Sequence, residues 1–185
     1  MENKATFFNR LESRLAPSGV LKVRSAYYLA KFGHRFQVRK EKNDAGEPLR
    51  YFEHLRRVAI ILMDEAHVWD PDLICTALLH DSLEDTEDLD AGILEHLFGP
   101  EVARRVRLLS KVPKDGYLDR LRDADDHTLL LKACDRLDNL RSLEQADAEF
   151  RQKQITETAV KYLPLWWDRP TIVANPVYQK ILDCL

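Results

Sequence analysis

The sequence predicts an all-α protein, a single bundle of roughly eight to ten helices that occupies residues 1–185. Two observations lead to this fold class. Only 6 of the 185 residues are glycine. Apolar residues recur at helical spacing in most segments, whereas no segment alternates convincingly between apolar and polar residues as a strand would. A chain of this length forms one domain. We place its core at about 20–164 and a C-terminal extension at 165–185.

Three helices are predicted in the first half of the chain. Apolar residues at helical spacing indicate a helix within 20–40. The turn residues of 43–48 predict a loop, after which a helix runs over 52–67. The next helix is predicted over 71–83, because a proline in its first turn follows an aspartate that can cap it.

The second half is predicted to alternate short and long helices. By periodicity and turn residues, helices lie over 90–98, 101–109, 118–124, 126–146 and 149–163. The stretch 164–176 contains three prolines and is predicted to be irregular, and a last short helix ends at Leu185. No internal repeat or linker interrupts this order.

Composition excludes several classes of partner. The 28 Lys and Arg against 31 Asp and Glu give a net charge of −3, so nucleic acid is not expected as a partner. No apolar run reaches the length of about 18 residues that a membrane span needs, and the N-terminus does not resemble a signal peptide. Three cysteines with no zinc-binding spacing suit a reducing cytosol. We therefore expect a cytoplasmic protein without nucleic-acid or membrane partners, and a homo-oligomer stays open.

The most informative motif is His80-Asp81, which ends an apolar run and leads into Glu84 and Asp85. An adjacent histidine and aspartate can bind one divalent metal. Positions four apart lie on one face of a helix, so the two later carboxylates can surround the same cavity. Taken alone, a buried histidine or a solvated acidic turn would explain these residues equally well.

Two further candidates lie far away in sequence, His54 upstream and Asp135 downstream, the latter four residues before Asn139. Imidazole and carboxylate ligands suit Mn²⁺, Fe²⁺ or Zn²⁺. A divalent ion lowers the pKa of water and a nearby carboxylate can take its proton, which is the minimum for phosphoester or phosphoanhydride hydrolysis. In the alternative interpretation, Asp135 pairs with a neighbouring arginine in the core.

These residues belong to an ordered series of segments that covers roughly 26–164. Taken in order, it resembles the HD-superfamily hydrolases, and specifically the hydrolase domain of the Rel/SpoT enzymes that degrade guanosine 3′,5′-bis(diphosphate), (p)ppGpp. The segments are 34–40, 46–48, 54 with 58–62, 77–81 with 84–86, 98–99 with 102–103, 132–137 with 139–141, and 157–158 with 162–164.

The resemblance implies an HD-domain helical bundle that releases pyrophosphate from the 3′ position and leaves GDP or GTP. It implies that one Mn²⁺ ion is bound by His54, His80, Asp81 and Asp135. It also implies that Glu84 and Asp85 position and deprotonate the attacking water. Asn139, Arg39 and Lys40 would contact the nucleotide.

The chain departs from the family pattern at several positions. The loop before His54 looks longer, so Arg50 could replace Arg39 or Lys40 as the basic contact with the substrate. Leu55 stands where a proline is usual, and Asp138 replaces a frequent histidine.

Three functions therefore compete. Because nothing of the size of a synthetase domain follows residue 185, the first is a stand-alone small alarmone hydrolase. A phosphohydrolase acting on another nucleotide, such as NADPH or a nucleoside monophosphate, is the second. The third is a non-catalytic alarmone-binding sensor, which the intact Glu84 and Asp85 disfavour because a mere binder gains little from extra carboxylates beside an anion.

Overall fold

The structure is a computed structural model that describes residues 3–43, 45–144 and 146–185. The predicted all-α class is confirmed, because helices form nearly all of the regular structure over these ranges. Several short helices take their number above the predicted one. None of the described helices has both the length and the apolar character needed to cross a membrane.

The first half contains five helices and one hairpin among the described residues. In chain order they are α1 Lys4–Glu12, α2 Pro17–Gly33, β1 Val38–Lys42, β2 Pro48–Arg50, α3 Phe52–Ile60, α4 Pro71–Leu79 and α5 Ser82–Asp85. A π-helical turn, Ile61–Glu65, continues α3. The helix predicted over 71–83 thus ends early, and the break between α4 and α5 falls at His80-Asp81.

The second half follows the predicted order with shorter elements. It contains α6 Ala91–Phe98, α7 Pro100–Leu109, α8 Tyr117–Arg122, α9 Asp126–Arg141, α10 Ala148–Glu157, α11 Leu163–Trp166, α12 Pro170–Val173 and α13 Pro176–Leu182. A second π-helical turn, Thr158–Tyr162, joins α10 to α11. The prediction that 164–176 is irregular is wrong, because each of its prolines lies in the first turn of a short helix, where a missing N–H costs nothing.

The hairpin of β1 and β2 corrects the prediction of helix up to residue 40. The two strands pair antiparallel, Val38 opposite Arg50 and Lys42 opposite Pro48, with an irregularity between these pairs. Residues of β1 alternate between exposed and half-buried, but almost all of them are charged. A hydropathy pattern therefore does not reveal this alternation. Asp44, in the predicted loop, lies outside the described residues.

One continuous cluster of buried residues extends from Phe7 in α1 to Ile181 in α13, with α4 and α9 at its centre. Of the 16 residues in α9, 12 are buried. Four of these carry charge: Lys132, Asp135, Arg136 and Asp138. Buried charges are costly unless they are paired. A polar network must therefore pass through this largely buried helix.

Candidate metal centre and catalytic cavity

The break between α4 and α5 sets the position of His80 and Asp81. His80 Nδ1 lies 2.9 Å from the carbonyl oxygen of Ala77, which leaves Nε2 to face the site. His80 Nε2 is 3.1 Å from Asp81 Oδ2 and 3.7 Å from Asp135 Oδ1, yet it has no well-aligned hydrogen-bond partner among the described residues. A buried ring nitrogen in this state fits a metal ligand.

His54, in α3, lies close to the same two carboxylates. Its Nε2 lies 3.2 Å from Asp135 Oδ1 and 3.6 Å from Asp81 Oδ2. One ligand atom each from His54, His80 and Asp81 lie within 4.8 Å of one another. The structure thus brings together all four residues expected to bind metal, and their mixed nitrogen and oxygen donors suit a divalent cation.

The electrostatics of this cluster also favour a cation. Burial lowers the pKa of His80, but the carboxylates of Asp81 and Asp135 outweigh it and raise that pKa to about 10. Burial raises the pKa of Asp81, and the His80 imidazolium more than reverses this effect. Asp81 and Asp135 therefore stay ionised. The Lys132 ammonium supplies positive charge beside Asp135, and a proton on the His80 imidazole or a metal ion can supply it beside Asp81.

Glu84 and Asp85 lie on α5, directly beside the cluster. The Glu84 carboxylate accepts a hydrogen bond of 3.0 Å from the backbone N–H of Lys111. Burial and the nearby Asp81 charge raise the pKa of Asp85. Both side chains line the same cavity as His54, Asp81 and Asp135.

That cavity has a volume of about 440 Å³, and three of the four residues expected to bind substrate line it. Arg39 donates a 2.9 Å hydrogen bond to Asn139 Oδ1, and Asn139 donates one of 2.7 Å to Asp135 Oδ1. The Lys40 ammonium lies 4.3 Å from the ring centre of Phe150 across the cavity. Arg39 of the hairpin is thereby linked through the Asn139 amide to Asp135, one of the residues expected to bind metal.

The fourth residue, Arg50, is not brought to the cavity. Its side chain is exposed and donates a 3.1 Å hydrogen bond to the carbonyl oxygen of Arg35. In β2 it follows the half-buried Leu49, so the strand alternation turns it towards solvent.

Sequence reasoning missed three residues that hold the cluster in place. Tyr51 donates a 2.7 Å hydrogen bond to Asp81 Oδ2. The Lys132 ammonium lies 2.8 Å from Asp135 Oδ2, and Asp138 Oδ2 accepts from His54 Nδ1 at 2.7 Å. Charges at 132, 135 and 138, spaced by three between the apolar residues of α9, were the signal that could have revealed this network.

Comparisons with known proteins agree with this geometry. A family model described as the HD domain matches residues 26–166. A protein of Aquifex aeolicus named guanosine-3′,5′-bis(diphosphate) 3′-pyrophosphohydrolase is 36% identical over 159 residues, which make up 80% of this chain and 22% of that protein. The Drosophila melanogaster protein of the same name, MESH1, is 35% identical over 122 residues, covering 62% of this chain and 65% of that one.

A solved structure shows the same architecture. Its title reads "A metazoan ortholog of SpoT hydrolyzes ppGpp and plays a role in starvation responses". It superposes with a TM-score of 0.72 at 29% identity and covers 88% of this chain and 93% of that one. By contrast, this chain spans only 20% to 26% of the length of the first three curated relatives.

Proposed function

The chain belongs to the HD domain family, and we propose that it hydrolyses (p)ppGpp at the 3′-diphosphate, releasing pyrophosphate and leaving GDP or GTP. One observation carries the proposal. Four residues of the type that binds divalent metal converge beside two further carboxylates, in a cavity with basic side chains at its rim. The names of the similar proteins supply the substrate.

In this proposal His54, His80, Asp81 and Asp135 hold one divalent ion, and Mn²⁺ is the candidate because no thiolate is present to favour zinc. When bound, such an ion lowers the pKa of water and stabilises charge on phosphoryl oxygens. The Tyr51 hydroxyl donates to Asp81 Oδ2, the oxygen that also lies 3.1 Å from His80 Nε2 and 3.6 Å from His54 Nε2, and so holds that oxygen in the cluster.

Asp85 and Glu84 act on the attacking water. Asp85 takes its proton, and the raised pKa of this carboxyl brings the base closer to the operating pH. Glu84 is held at Oε2 by the Lys111 N–H, and its Oε1, 3.8 Å from the Lys111 ammonium, orients the same water.

Arg39, Lys40 and Asn139 receive the nucleotide in this proposal. An arginine can clamp a diphosphate with two parallel hydrogen bonds, and Arg39 already lies in the cavity beside Asn139. The cavity volume of about 440 Å³ is in the range of small-molecule sites. Arg50, which lies outside the cavity, is left without a role.

The test is product analysis with purified protein, ppGpp and Mn²⁺. We expect pyrophosphate and GDP in equal amounts. A panel with NADPH and nucleoside monophosphates at equal concentration separates the competing substrates. A clear preference for a simple monophosphate, or ppGpp binding without turnover in any divalent metal, would contradict the proposal.

A further inference from the structure

We infer that Asp138, clamped by Arg57, is a positioning residue that orients the His54 ring so that Nε2 faces the metal position. The inference rests on the proposed function only in taking His54 as a ligand. It concerns a residue with no expected role, at a position where the resembled family frequently has histidine. The geometry around the Asp138 carboxylate carries the argument.

Asp138 is 2% exposed, and both of its oxygens are engaged. Oδ2 accepts from His54 Nδ1 at 2.7 Å and from Arg57 Nη2 at 3.1 Å. Oδ1 accepts from Arg57 Nε at 2.6 Å. The guanidinium thus binds the carboxylate through two nitrogens, which fixes its plane as well as its position.

This arrangement decides which nitrogen of His54 carries the hydrogen. An ionised carboxylate can only accept, so the hydrogen of the neutral ring must be on Nδ1. Arg57 presents two N–H donors to the Asp138 carboxylate, which accepts both, so the His54 nitrogen beside that carboxylate is the donor. The lone pair of Nε2 then points at Asp81 and Asp135, as a metal ligand requires.

The two histidines of the cluster are oriented by different means. His80 is set by a backbone carbonyl, that of Ala77, which no side-chain substitution removes. His54 depends on one side chain, and that side chain depends on Arg57. An aspartate at 138 is tolerated in this buried place because Arg57 supplies its cation.

The clamp also reaches the hairpin. Arg57 Nη2 donates a 2.8 Å hydrogen bond to Glu41 of β1, and Glu41 lies 3.8 Å from Arg39 Nε. The strand that carries the proposed substrate-binding residues is therefore tied to the orientation of His54 by two consecutive ion pairs.

Asp138→Asn tests the role with little change in shape. The amide must turn its NH₂ towards either His54 Nδ1 or Arg57, both of which are donors. We expect the dissociation constant for Mn²⁺, measured from the EPR signal of the free ion, to rise by about 10- to 100-fold. Glu65→Gln is the matched control. It also removes a carboxylate that partners an arginine, Arg141, but it contacts no proposed ligand, so Mn²⁺ affinity should not change.

A second readout needs no metal. In protein labelled with ¹⁵N-histidine, the buried Nδ1–H of His54 should give a slowly exchanging proton resonance in the wild type and in Glu65→Gln. In Asp138→Asn it should shift or disappear. If the resonance and the Mn²⁺ affinity of a folded Asp138→Asn variant both match the wild type, the inference is wrong.

If Asp138→Asn does not fold, Arg57→Gln replaces it. This side chain is 31% exposed and its loss leaves Asp138 unclamped. A several-fold weaker Mn²⁺ affinity is expected, and wild-type affinity would overturn the clamp. Wild-type Mn²⁺ affinity in His80→Ala would instead refute the proposed metal centre, while the His54 resonance would still report on Asp138.

Discussion

The two ends of the catalytic cavity are built in opposite ways. The proposed metal end consists of residues from α3, α9 and the α4–α5 break. His54, His80 and Asp135 are buried in the core, Asp81 is half-buried, and further side chains hold the cluster. The proposed nucleotide end is lined by β1 of the hairpin and by α10, and there Lys40 is exposed and Arg39 half-buried. Under the proposed function, the chemistry depends on the buried core and substrate choice on the more exposed end, where substitutions cost little stability.

Removing a proposed metal ligand should have the largest effect, because it abolishes metal binding and with it catalysis. In His80→Ala or Asp135→Asn we expect Mn²⁺ affinity to fall by more than the ~100-fold typical of outer-shell changes, and pyrophosphate release to fall to background. EPR titration and a pyrophosphate assay measure the two. Full activity in either folded variant would show that the metal site is wrongly assigned.

Neutralising Glu84 or Asp85 should slow the chemical step without weakening metal binding. For Glu84→Gln and Asp85→Asn we expect kcat to fall about 10²- to 10⁴-fold with Mn²⁺ affinity little changed. Steady-state kinetics alongside the EPR titration check this. A loss of Mn²⁺ affinity as large as that of His80→Ala would make these residues ligands and not bases.

The same base predicts a pH dependence. Because burial raises the pKa of Asp85 and the base works ionised, kcat/KM should fall as pH falls through a value above that of an ordinary aspartate. A pH profile of the wild type measures this limb. Asp85→Asn should lack it, and an unchanged acid limb in that variant would assign the titration to another group.

Two arginines of the hairpin, one inside the cavity and one outside it, test the proposed nucleotide end. Arg39→Ala should raise KM for ppGpp by about 10- to 100-fold with a smaller change in kcat, since a hydrogen bond to a charged group contributes about 1.5–3 kcal/mol. Arg50→Ala, on the neighbouring strand but outside the cavity, should leave both constants unchanged. If the two variants behaved alike, the hairpin register would not be the one described.

The smallest effect on catalysis is expected for Glu65, which does not line the cavity. Glu65 accepts hydrogen bonds from Arg141 and Lys180, and the Arg141 bond lowers the pKa of Glu65. This stabilisation is present above the pKa in the unfolded chain and is lost as pH falls through the folded value. For this partly exposed ion pair, we expect Glu65→Gln to cost at most about 1 kcal/mol, or roughly 2–4 °C in Tm. Activity at 25 °C should be unchanged, and thermal melts at neutral and acidic pH check the sign.

The sequence predicts the fold best where the spacing of apolar residues matches the geometry of a helix. Apolar residues at helical spacing predict the helices around His54 and Asp135, and the sequence also predicts as metal ligands four residues that the structure brings close together. The hairpin was missed because β1 is charged, so its alternation appears only in burial. No sequence pattern could separate Arg39 from Arg50, because that distinction depends on an irregular strand register.

A metal titration of turnover on ppGpp tests the proposed metal-dependent hydrolysis directly. Protein depleted of metal with a chelator should be inactive, and added Mn²⁺ should restore release of pyrophosphate, followed by ³¹P NMR, in proportion to about one ion per chain. Asp135→Asn should stay inactive throughout. Undiminished turnover in the metal-depleted protein, or orthophosphate as the first product, would show that the protein is not a metal-dependent pyrophosphohydrolase of ppGpp.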